Sequence, residues 1–190
     1  MKIISNFYDG KFIKSESTDK LSLFKPTTGE EYAHIPITTD KEFQSIIDKM
    51  KIAQASWANT PITKRSSILF KFKNLIEKNF DDIARIISEE HGKVFSDAKG
   101  SLQRGLEVVD FACGIPHLLK GNHSINVGTN VDSFDIKQPL GLCAGITPFN
   151  FPAMVPMWMF PISIACGNAF MLKPSEKVPQ CSLKLGELLI

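Results

Sequence analysis

The chain has 190 residues, 43% hydrophobic and 22% charged, with 22 basic against 20 acidic side chains and a net charge of +2. That length accommodates one domain, or one and part of another, around a real core, and the charge balance gives no electrostatic case for nucleic acid or an anionic membrane. The four cysteines, Cys113, Cys143, Cys166 and Cys181, fit neither a zinc spacing nor a CxxC motif; three lie in apolar sequence, as reduced thiols of a cytoplasmic protein do. His34, His91, His117 and His123 are scattered, with no ligand-spaced partner, and are given no role.

The start reads as strand and turn. Residues 1–10 lack the apolar core of a secretory signal, and no Arg-rich presequence is visible. Phe7-Tyr8 and Lys11-Phe12-Ile13 flank Asp9-Gly10, a hairpin signal, and residues 25–30 make a second turn. Thr39 with Glu42 forms a capping box ahead of a helix striped by Phe43, Ile46, Ile47, Met50, Ala53 and Trp57. After Pro61 a single longer helix is expected to about Glu90, with Gly92 as its stop. Residues 96–115 read as a helix with two apolar stripes, Leu102, Leu106, Val109, Cys113 and, nearly opposite, Val108, Phe111, Ile115; a helix apolar on two sides is expected to be buried on two sides. Arg104 lies in line with the second stripe and needs an anion. Two readings stand: a structural salt bridge or snorkelling side chain, or a clamp for a substrate carboxylate.

Residues 121–138 read as an antiparallel hairpin of weak core-forming power, an arm expected to pair elsewhere, turning at Gly128-Thr129-Asn130. Residues 139–172 then run for 34 positions without a charge, long enough to span a bilayer, but Pro148, Pro152, Pro156 and Pro161 break any spanning helix. A buried strand to Thr147, a broken helix over 152–166, a stop at Gly167-Asn168 and a second strand ending at Lys173 make a βαβ unit. Asn150 falls just past the carboxyl end of the first strand, where ligands bind in open α/β sheets. Its amide is either a helix N-cap or a pre-aimed donor for an oxyanion. Lys173 and Glu176, past the second strand, are either a solvated loop or a grip on ribose hydroxyls; neither GxGxxG nor GxxxxGK[ST] occurs.

The segment PFNFPAMVPMWMFPISIACGNAFMLKPSEKVP, with QRGLEVVDFA and the EEHGK segment upstream, resembles the aldehyde dehydrogenase superfamily, most of all its CoA-acylating methylmalonate-semialdehyde branch. The resemblance covers essentially the whole chain. It implies an incomplete Rossmann-type NAD-binding domain with a helical amino-terminal part and an oligomerisation hairpin. The parts would be 1–121, the amino-terminal part of the NAD-binding domain; 122–138, the oligomerisation arm; and 139–190, the truncated βαβ core, with the catalytic domain absent. The implied reaction is NAD-dependent oxidation of methylmalonate or malonate semialdehyde, with coenzyme A taking the acyl group and CO2 lost. Asn150 would donate to the oxyanion, Thr147 and Phe149 line the cofactor, Lys173 and Glu176 hold the adenosine ribose, Lys177 be a basic contact, and Arg104 hold the substrate carboxylate. The full-length protein would be a homo-oligomer, a tetramer. None of the four cysteines matches the nucleophile, and with the base glutamate also missing, residues 1–190 alone are expected to be inactive. A hydrolytic aldehyde dehydrogenase and a non-catalytic binding or assembly module are the competing readings.

Overall fold

Asp9 and Gly10 both take left-handed backbone (φ 55° and 71°), as a two-residue hairpin turn demands, and join β2 (Asn6–Tyr8) to β3 (Lys11–Ile13). The computed structural model describes all residues 1–190. Around this hairpin a small mixed sheet has the order β1-β5-β4, with β1 (Lys2–Ile3) parallel and β4 (Lys20–Phe24) antiparallel to β5 (Glu31–Pro36). The capping box forms as read. The Thr39 hydroxyl accepts from the Glu42 backbone N–H, and the Glu42 carboxylate accepts the Thr39 backbone N–H at 2.8 Å. It opens α1 (Asp40–Ala58), whose apolar stripe is only half-buried, with Phe43 exposed.

The single helix expected after Pro61 is two, α2 (Ile62–Lys78) and α3 (Phe80–His91). Asn79 makes the break: its side-chain amide donates to the Leu75 carbonyl at 2.8 Å, offering the backbone an alternative to the helical ladder. The stop at Gly92 holds, in left-handed backbone with φ 82°. Next come α4 (Phe95–Cys113) and the short α5 (Ile115–Leu118). The first apolar stripe of α4 is buried, together with Ala98, Gly105 and Ala112. The second is buried only at its end: Ile115 is sealed in a small cluster, Val108 is half-buried and Phe111 is 55% exposed, so burial on both sides fails at Phe111. Strands β6 (His123–Gly128) and β7 (Val131–Phe134) form the expected antiparallel arm, with every residue exposed.

The uncharged run folds as β8 (Leu142–Ile146), α6 (Met154–Ala165) and β9 (Ala169–Lys173), followed by α7 (Pro179–Leu188). β8 and β9 pair in parallel, Leu142 opposite Ala169 through Ile146 opposite Lys173, so the βαβ connection stands; but β8 is not the buried strand expected, since only Gly145 is buried and Leu142 and Ile146 are exposed. The helix between them begins at Met154, later than read, and is continuous through Pro161. Pro156 falls in the first turn, where its missing N–H is no loss. The helix ends in a Schellman motif: the Asn168 N–H bonds the Ser163 carbonyl at 3.2 Å, the Gly167 N–H bonds Ile164 at 3.0 Å, and Gly167 has φ 91°. The principal core lies between α2, α3, α4, α6 and α7, with Phe72, Ile83, Ile87, Leu102, Val109 and Met157 sealed inside. A Cβ at Gly105 would stand 3.1 Å from the Met154 Cα, so α4 rests directly on the first turn of α6.

A buried arginine secures the far end of α6. Arg65 donates Nε to the Ala165 carbonyl (3.0 Å) and Nη1 to Thr60 (2.8 Å) and Ala58 (3.3 Å). Neither α1 nor α6 has a basic residue in its last turn, and one guanidinium serves the carbonyl ends of both.

Candidate active site

Two loops leave the carboxyl ends of adjacent parallel strands, 147–153 after β8 and 174–178 after β9. The Thr147 N–H bonds the Lys173 carbonyl at 3.1 Å, which extends the ladder one step and sets the two loops side by side. Thr147 is buried, and its Oγ1 has no hydrogen-bond partner. The His91 Nδ1 and the Ser163 Oγ, the latter near the opposite end of α6, are likewise buried without a partner.

Asn150 does not cap α6. The N-cap of that helix is Ala153, without a side-chain bond, and the Asn150 amide is exposed and bonds to nothing in the chain. The N-cap alternative therefore falls, and the donors are free. The Asn150 carbonyl, by contrast, is held: Lys93 donates to it at 2.9 Å, with its ammonium 4.4 Å from the Phe151 ring centre. Phe149 is 48% exposed. The His91 ring stacks on it at 6.4 Å between centres and 21° between planes, and the Lys177 ammonium stands 4.8 Å from its centre.

Lys173 and Glu176 bond each other at 2.9 Å, and Lys173 holds the Glu176 carboxyl below its ordinary range. Both are solvent-accessible, so the pair adds little stability but presents a cation and an acceptor side by side. Such a pair, with the Thr147 hydroxyl nearby, fits the ribose and polar groups of a dinucleotide. Arg104 is exposed and makes no hydrogen bond or ion pair, so the structural salt bridge is not there, while a snorkelling side chain and a clamp both stand. Its neighbour Gly105 meets Met154, which brings this part of α4 to the Asn150 end of α6.

Three residues at the end of α3 escaped the sequence reading. His91 and Lys93 touch the first loop, as described. Glu90 is 5% exposed and accepts the backbone N–H of Cys181 at 2.8 Å and of Gln180 at 3.1 Å, capping α7 from a different helix. Burial pushes its carboxyl up to about 8, against the pull of those two amides. A charged residue next to a helix stop is ordinary in sequence, and nothing local marks a partner 90 positions away.

None of the cysteines offers an open thiol to this mouth, although Cys181 lies in the first turn of α7, just behind the second loop. Cys113 and Cys181 are buried in core clusters, and burial raises both thiols. Cys166 lies at the opposite end of the βαβ unit, and Cys143 is the second residue of β8.

The aldehyde dehydrogenase family model matches residues 12–190. The chain belongs to the aldehyde dehydrogenase family. Among the family's members, it is 46% identical over 188 residues to malonate-semialdehyde dehydrogenase of Pseudomonas aeruginosa, covering 99% of this chain and 38% of that protein. It is 46% identical over 185 residues to the acylating, mitochondrial methylmalonate-semialdehyde dehydrogenase of Arabidopsis thaliana, covering 97% of this chain and 30% of that one. The methylmalonate-semialdehyde dehydrogenase structure from Oceanimonas doudoroffii superposes with a TM-score of 0.96 at 48% identity, over 100% of this chain and 38% of that one. A Sinorhizobium meliloti protein, named as a candidate for the same enzyme and solved with NAD, gives 0.96 at 43% identity with the same coverage. The chain thus spans well under half the length of these relatives. An aldehyde dehydrogenase-like fold is shared throughout it.

Proposed function

We propose that this chain supplies the cofactor-side and oxyanion-side walls of a CoA-acylating methylmalonate- or malonate-semialdehyde dehydrogenase. The observation that carries the reading is the pair of loops at one strand end: a free Asn150 amide on the first, an unpartnered Thr147 hydroxyl beside it, and a Lys173–Glu176 pair on the second. The names of the relatives supply the substrate class.

When bound, NAD supplies the hydride acceptor. Lys173 and Glu176 would hold the adenosine ribose, Thr147 would find its missing partner on the dinucleotide, and Phe149 with Lys177 would line its path. Attack by a thiolate on the aldehyde carbon makes an oxyanion, and the Asn150 amide would donate to it. Donors fixed before the charge develops need no reorganisation as it forms. Arg104, cationic and without a partner, would hold the carboxylate of the semialdehyde. The thiolate would not come from Cys113, Cys143, Cys166 or Cys181: the first and last are sealed in the core, and none matches the family's nucleophile, so residues 1–190 alone would not turn over. Coenzyme A would take the acyl group, with loss of CO2.

In this reading 1–121 and 139–190 belong to the NAD-binding domain, and the fully exposed arm at 122–138 is a homo-oligomer contact, in a tetramer. Four free thiols suit a reducing compartment, here the cytoplasm. The deciding experiment follows NADH and acyl-CoA together, with the full-length protein, malonate semialdehyde and NAD. CoA-dependent formation of acetyl-CoA supports the proposal. NADH release with free acid and no effect of CoA would make it a hydrolytic dehydrogenase instead. Binding of NAD without any turnover would favour a non-catalytic module.

A further inference from the structure

We propose that Lys93 is a positioning residue for Asn150, and that the Glu90–Lys93 turn is the bracket on which the first loop of the site is set. This rests on Asn150 being the oxyanion donor. Between Thr147 and Pro152 the backbone has few soft joints. Pro148 and Pro152 fix their own φ angles and restrict Thr147 and Phe151, the residues before them, to extended backbone. Phe149 and Asn150 remain free to turn. The structure holds both from one place. The His91 ring lies on Phe149, and the Lys93 ammonium bonds the Asn150 carbonyl at 2.9 Å while resting on the Phe151 ring. A charge-assisted bond to that carbonyl fixes the peptide plane that follows Asn150 and so, with the flanking prolines, the direction in which its side chain leaves the backbone.

The turn that carries these contacts is itself anchored. Gly92 reverses the chain with φ 82°, and a Cβ there would stand 3.2 Å from Pro26. The Ser88 hydroxyl bonds the Lys93 carbonyl at 2.5 Å. Glu90 grips the first turn of α7, directly behind the second loop. A solvated lysine would make none of these contacts, and the turn is joined to both loops.

The test uses the full-length protein and compares Lys93→Met, Lys93→Arg, Asn150→Ala and the double variant Lys93→Met/Asn150→Ala. Lys93→Met is expected to lower kcat tenfold or more, with the Kd for NAD, read by fluorescence, within threefold. Lys93→Arg should recover most of the loss. In the Asn150→Ala background Lys93→Met should change kcat by less than twofold, because the group it orients is gone. Hydrogen exchange at the Val155 amide, which donates to the Phe151 carbonyl at 3.3 Å, should rise at least fivefold in Lys93→Met. A kcat within twofold of the parent, or a full tenfold loss that persists without Asn150, would overturn the proposal. If Asn150→Ala itself leaves kcat unchanged, the oxyanion reading falls. The exchange measurement then decides alone: faster exchange upholds the bracket, and unchanged exchange overturns it.

Discussion

Replacing Glu90 with alanine removes the only cap of α7. That helix starts with Pro179 and has no side-chain cap of its own, so the N–H groups of Gln180 and Cys181 depend on the Glu90 carboxyl, at 3.1 and 2.8 Å. Cys181 is fully buried, and water cannot replace the lost acceptor there. A buried donor left unmade costs about 1–3 kcal/mol. With Gln180 half-exposed and partly rescued by solvent, Glu90→Ala should destabilise the protein by about 2–4 kcal/mol. Urea unfolding of the full-length protein measures it, and exchange at the Cys181 amide reads it locally. A loss under about 0.5 kcal/mol, with Cys181 still protected, would refute the capping account. The pH dependence adds a sign. The folded carboxyl titrates at about 8 instead of near 4.5, so the folded state keeps a proton that the unfolded chain has shed. Its contribution is fullest below pH 4.5 and is lost as pH rises through 8, at a slope of at most about 1.4 kcal/mol per pH unit. Glu90→Gln cannot titrate and loses that slope. Its stability deficit relative to the parent should therefore shrink between pH 6 and 8, whereas parallel curves would mean that Glu90 is ionised throughout.

Arg104→Leu should leave thermal stability within a degree or two, since the guanidinium has no partner to lose. In the full-length protein it should reduce kcat/KM for semialdehyde acids at least tenfold while sparing plain aldehydes; an unchanged ratio counts against the clamp. Thr147→Val keeps the shape and removes a hydroxyl that is buried without a partner, so the melting temperature should hold or rise. Titration with NAD should show a Kd weakened about fivefold, the effect of one lost neutral hydrogen bond. An unaltered Kd would mean that the hydroxyl does not meet the dinucleotide.

Much of this fold was legible because its signals are local. Asp9-Gly10, the Thr39–Glu42 box, Gly92 and Gly167-Asn168 each state a backbone requirement in one to four residues, and all four appear where read. The parallel strand pair could be inferred because an uncharged run broken by prolines suits a doubly covered βαβ unit. Periodicity misled where a single side chain decided otherwise. The apolar spacing runs through Asn79, yet its amide turns back on Leu75 and splits the helix. It also promised a second buried face on α4, which fails at Phe111. In the site, residues just past a strand end could be picked out by position. Glu90, His91 and Lys93 could not, because their partners lie 57 to 91 positions away or across an aromatic stack, and sequence carries no mark of that proximity. Nor did the pattern show that Asn150 would be left uncapped and free, which required seeing α6 begin at Met154.

The central claim is that the free amide of Asn150 stabilises an oxyanion. Asn150→Ala in the full-length protein tests it directly, with kcat and NAD affinity measured on the same preparation. Loss of one preorganised donor should lower kcat by about 10²–10³-fold, with the Kd for NAD within threefold of the parent. A kcat within threefold of the parent, in a variant that folds and binds NAD normally, would contradict the account.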